Sequence, residues 1–96
     1  MGTFIALLNF TDQGIRNIED SPHRADQFRE MAEQAGASVV GQYWTIGSHD
    51  GVLILEAPSD EVAASVLLSL GASGNVRTTT LRAYDWAEAQ GLIDRS

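Results

Sequence analysis

Residues Phe4–Phe10 read FIALLNF, and residues Asp50–Ala57 read DGVLILEA. Both are short apolar runs without helical spacing, and both are expected as β-strands. Successive side chains of a strand point to opposite faces of its sheet. Phe4, Ala6 and Leu8 therefore share one face, while Ile5 and Leu7 take the other. Val52 and Ile54 oppose Leu53 and Leu55 in the same way. A sheet with one wet face alternates apolar and polar residues. These two segments do not alternate, so both faces of the sheet are expected to need cover.

The rest of the chain follows outward from these strands. The apolar run opens at Thr3, and Asp12 after it is placed to cap a short helical turn carrying Ile15 and Ile18. Ser21 followed by Pro22 reads as a helix start, since Pro lacks the N–H that the first turn would orphan. Ala25, Phe28, Ala32 and Ala35 then form one apolar stripe, and Gly36 ends that helix. Ser38–Ile46 is rich in β-branched and aromatic residues and reads as a strand. Gly47 and Ser48 supply a turn into the strand 50–57. Ser59 caps a second helix with Asp60 and Glu61 at its positive end. Val62, Ala63, Val66, Leu67 and Leu70 form its buried face, and the stretch 71–74 breaks it. Asn75–Tyr84 is the fourth strand, and 85–90 a last helical turn ended by Gly91.

The order β-α-β-β-α-β over residues 1–96, with no linker, predicts one ferredoxin-like α+β domain. Such a sandwich has four antiparallel strands and two helices on one face of the sheet. The helices cover one face only. The other is then an apolar patch larger than a monomer usually exposes. Its simplest cover is the same face of a second copy, which makes a dimeric α/β barrel, a homodimer or a higher oligomer.

Composition removes several functions. Without cysteine there is no disulfide framework, thiol nucleophile or thiolate metal site. Without lysine there is no Schiff-base chemistry. A net charge of −7, with six scattered arginines as the only basic residues besides histidine, argues against nucleic acid and anionic membranes as partners. No apolar run approaches membrane-span length, and no charge precedes Asp12, so a cytoplasmic location is expected. Two histidines without helical spacing and scattered acids predict no metal site. The chain has neither a phosphate-loop glycine pattern nor a nucleophile elbow.

The segments FIALLNFTDQGIRNIEDSPHRA, GQYWTIGSHDGVLILEAPSDE and GNVRTTTLRAY resemble the GYD-domain family over roughly residues 3–84. The Gly-x-Tyr-Asp hairpin of that family corresponds here to Gly47, Ser48, His49 and Asp50, with His in place of Tyr. The resemblance implies the dimeric-barrel fold. Haem-degrading barrels of similar fold use a His on the second long helix. None lies between Ser59 and Leu70, so no cofactor is expected.

Five residues stand out as ligand-binding candidates: Asn9, Tyr43, Trp44, His49 and Arg82. Asn9 interrupts an apolar strand, and a buried amide needs partners. Tyr43 and Trp44 are broad and amphipathic, suited to stacking on a flat molecule. Arg82 is suited to a bidentate grip on a carboxylate. His49 and Asn9 are the candidate catalytic residues, His49 as an acid or base. The structural reading sets His49 at a hairpin tip, Asp50 on backbone groups of the turn, Trp44 in the core and the arginines on Glu56 or Asp50. Two functions follow. One is a self-associating barrel that binds or encloses a small apolar or weakly acidic molecule. The alternative is a cofactor-free enzyme, similar to small monooxygenases of this fold, acting on an aromatic substrate.

Overall fold

A computed structural model describes residues 1–96. The strands are β1 (Gly2–Phe10), β2 (Ser38–Trp44), β3 (Gly51–Ala57) and β4 (Val76–Ala83). The helices are α1 (Asp12–Arg16), α2 (Ser21–Gln34), α3 (Asp60–Ala72) and α4 (Trp86–Arg95), with a 3-10 turn at Ile18–Asp20. The strands form one antiparallel sheet in the order β2-β3-β1-β4. This is the ferredoxin-like α+β sandwich that the sequence predicts.

The apolar spacing of α2 and α3 explains the layer beneath the sheet. Phe28 and Ala32 of α2 and Ala63, Val66 and Leu67 of α3 are buried against Phe4, Ala6, Leu53, Leu55 and Ala57. Leu53 and Leu55 are wholly enclosed. The other parity faces away from the helices. Ile5 lies between Ile54 and Leu81, and Leu7 between Val52 and Thr79. These residues are partly or largely exposed, Leu81 by 49%. The two-faced strands thus have cover on one side only within this chain.

Several local details differ from the sequence reading. Thr11, not Asp12, caps α1: its hydroxyl accepts from the Gly14 N–H at 3.1 Å and donates to the Gly74 carbonyl at 2.6 Å. Ile15 and Ile18 are exposed, and Ile18 lies in the 3-10 turn rather than in α1. Ser21 is no cap but the first residue of α2, because the 3-10 turn before it already winds the chain. β2 stops at Trp44, leaving Ile46 fully exposed in the connection to β3. That connection, Thr45–Asp50, is longer than a tight two-residue turn, and Gly47 at φ 134° supplies a conformation that side-chain-bearing residues rarely adopt. α3 runs past Gly71 to Ala72, and β4 is two residues shorter than expected. The last helical turn is a full helix: α4 continues through Gly91 to Arg95, started by an Asp85–Glu88 capping box.

Gly14 marks the tightest approach in this frame. A Cβ there would stand 1.9 Å from the Asn75 carbonyl oxygen, which accepts from the Thr11 N–H at 3.0 Å. Gly14→Ala must push α1 off the start of β4. We expect a loss of about 1–3 kcal/mol, the usual range for overpacking, read as a lower denaturation midpoint with an unchanged denaturant slope. An unchanged midpoint would show that the two segments are not locked together.

Candidate functional site

The connection between β2 and β3 is tied to the end of β1 by side chains as well as backbone. Asp50 donates its N–H to the Leu8 carbonyl at 2.7 Å, and its carboxylate accepts the Phe10 N–H at 2.8 Å. Thr45 closes the loop on itself, donating its N–H to the Asp50 carbonyl at 2.9 Å and its hydroxyl to the His49 carbonyl at 2.7 Å. Asp50 thus binds backbone, as the structural reading expects, but that backbone belongs to β1 rather than to the turn.

Asn9 is the second tie. Its Nδ2 donates to the Ser48 carbonyl at 3.0 Å, which orients the amide. The Oδ1 then faces His49 Nδ1 at 3.0 Å. An amide oxygen only accepts, so the hydrogen of a neutral His49 sits on Nδ1 and Nε2 is left as a free acceptor. His49 lines a shallow groove of about 240 Å³ with Leu7, Val52, Gly51, Thr45 and Ile46. The groove opens on the sheet face that the helices leave bare, because Leu7 and Val52 pair there.

The remaining candidates stand elsewhere. Tyr43 pairs with Val52 and is mostly exposed on the same bare face, its ring beside Ile54 and Gly41. It does not line the His49 groove. Trp44 has the opposite parity and turns to the helix side, where its indole N–H donates to the Ser21 hydroxyl at 3.0 Å, but half of it stays exposed, so it is not a core residue. Arg82 pairs with Phe4 at the far end of β1. Its guanidinium lies over the Phe4 and Tyr84 rings at 5.5 and 4.5 Å and reaches Glu88 of α4 at 3.8 Å. It also donates to the Thr3 carbonyl at 3.3 Å and to the Ala83 carbonyl. Its partners are neither Glu56 nor Asp50. The chain therefore brings Asn9 and His49 together, with Tyr43 on the same face, and separates them from Trp44 and Arg82.

A second concavity, of about 50 Å³, lies on the helix side between α2 and the sheet. Arg24, a residue the sequence reading passed over, lines it beside Trp44. Its helical position marks it only as a polar residue near the apolar stripe, which is why spacing alone did not single it out. No helix is long and apolar enough to cross a membrane.

Comparison with known proteins places this geometry in a family. A curated protein of Thermus thermophilus, the glutamine synthetase and cystathionine beta-lyase binding protein, is 35% identical over 89 residues. The match covers 92% of this chain and 94% of that protein. Among solved structures, MtbAldR superposes with a TM-score of 0.70 at 18% identity, over 88% of this chain and 52% of that one. A feast or famine regulatory protein from M. tuberculosis, solved with L-methionine, gives 0.68 at 19% identity, over 88% and 51%. This chain spans about half the length of each, and at such identity the likeness is one of fold. The model of the GYD domain matches residues 4–93, nearly the whole chain, and the chain belongs to the GYD-domain family.

Proposed function

We propose that this chain is a non-catalytic, cytoplasmic binding protein that works as a dimer joined through its bare sheet face and engages a partner enzyme. The observation that carries the first half is the run Ile5, Leu7, Val52, Ile54 and Leu81 on one face, away from α2 and α3. Each side chain is already partly shielded by its neighbours. Full burial therefore gains about 1 kcal/mol apiece, below the usual 1.5–3. Two facing copies gain about 10 kcal/mol gross, comparable with the association cost of about 4–15 kcal/mol. The face is then sufficient only with some further apolar contact.

The fourth helix offers that contact. α4 buries none of its own residues, and Trp86 and Ile93 are 82% and 66% exposed. The radius of gyration is 14.2 Å, whereas a compact chain of this length has about 12.5 Å. A helix that stands off its own subunit is an arm suited to a twin. The Asn9–His49 pair would then border the mouth of the resulting barrel, where a small apolar or weakly acidic molecule fits. The cofactor-free oxygenase reading, which needs Asn9, Tyr43, Trp44 and His49 around one substrate, gains no support, because Trp44 turns to the other side of the sheet.

The second half rests on the relative at 35% identity, which is named for binding two enzymes. Two tests apply. In sedimentation equilibrium at micromolar concentration the wild type should have twice the mass of its chain. Ile54→Lys, which sets a charge in the centre of the face, should sediment as a folded monomer. A wild-type monomer contradicts the dimer. In surface-plasmon measurements with immobilised T. thermophilus glutamine synthetase and cystathionine β-lyase, saturable binding of the wild type to at least one enzyme is expected. No response to either would remove the partner assignment and leave the dimer standing.

A further inference from the structure

The helix-side cavity has a chemistry of its own. Its polar lining is Ser21, Arg24, Gln42 and Asp50, set among apolar walls that include Phe28 and Leu53. Most of the polar groups with known partners are committed. The Ser21 hydroxyl accepts from Trp44, and the Asp50 carboxylate accepts from Phe10. Arg24 is only half committed. Its Nη1 donates to the Asn17 carbonyl at 2.8 Å, while its Nη2 is shut off from solvent and has no hydrogen-bond partner in the protein. A buried donor on a charged group is costly to leave unpaired. In a chain of net charge −7 without a single lysine, a half-buried guanidinium with an unpaired, solvent-shielded donor on a cavity wall calls for an anionic acceptor.

We propose that this cavity binds a small monocarboxylate, its carboxylate on Arg24 Nη2 and its alkyl group against Phe28 and Leu53. Size limits the ligand: about 50 Å³ holds about four water-sized atoms, the size of acetate. Charge limits it too, because the Asp50 carboxylate on the same wall opposes every anion, and a dianion such as sulfate about twice as strongly as a monocarboxylate. Entry is from the neighbouring open groove of about 240 Å³, which shares Arg24, Phe28 and Leu70 with the cavity. The site lies on the opposite side of the sheet from the bare face and is complete within one chain, so it does not depend on dimerisation.

The test is titration of the ¹⁵N-labelled chain with sodium acetate, with sodium chloride holding ionic strength constant. Saturable shifts are expected at the Trp44 indole N–H and at the Arg24 guanidinium. Arg24→Met keeps most of the stem and removes the donor, and should weaken binding about tenfold or more. Ala25→Val fills the cavity without touching a charge and should also weaken binding, so the test survives if Arg24→Met does not fold. Ile54→Lys, on the other face, should bind as the wild type does. Shifts that do not saturate, that chloride alone reproduces, or that survive both cavity variants would overturn the site.

Discussion

The structure depends on one constraint: its two central strands are apolar on both faces, while its helices cover one. β1 and β3 sit in the middle of the sheet, each paired with a strand on both sides. Phe4, Ala6, Leu53 and Leu55 seal against α2 and α3 with almost no exposure. A domain of this length buries only about 60–65% of its unfolded surface, so its hydrophobic stability rests on a small core. The opposite parity could have been polar without disturbing the seal. That Ile5, Leu7, Val52 and Ile54 stand there instead is the fact the functional reading has to explain.

The connection 45–50 shows how little of this small molecule is free to vary. Leu8, Asn9 and Phe10 each hold it, through a carbonyl, an amide side chain and an N–H in turn. Asp50 and Asn9 share the work from opposite faces of the sheet. The connection is therefore anchored on the first strand, and His49 joins that anchor through Asn9 Oδ1. The outcome is a rim tied to three successive residues of β1, at the edge of the bare face.

Periodicity made the frame legible. The stripes Phe28–Ala32 and Ala63–Val66–Leu67 identify the helices, and strand parity alone separates Ile5 and Leu7 from Phe4 and Ala6. Contacts between residues far apart in the chain were not legible. Ser21 looks like a cap from its neighbours, but its hydroxyl meets Trp44 twenty-three residues later. Arg82 looks suited to a ligand carboxylate or to Glu56 or Asp50, yet two rings, two carbonyls and Glu88 occupy it. Gly91 looks like a stop, but the Asp85–Glu88 box nucleates α4 strongly enough to pass through it. Asn9 and His49 each stood out by residue type, while their hydrogen bond needed the fold to bring positions forty apart together.

Whether a twin covers the bare face is best seen at the methyl groups themselves. A soluble paramagnetic agent added to a methyl-labelled chain broadens each signal according to its distance from solvent. If the face is covered, the methyls of Ile5, Leu7, Val52, Ile54 and Leu81 are as protected as those of Leu53 and Leu55. If instead they broaden like those of Leu68, which is 74% exposed on α3, the face is wet and no second copy lies against it.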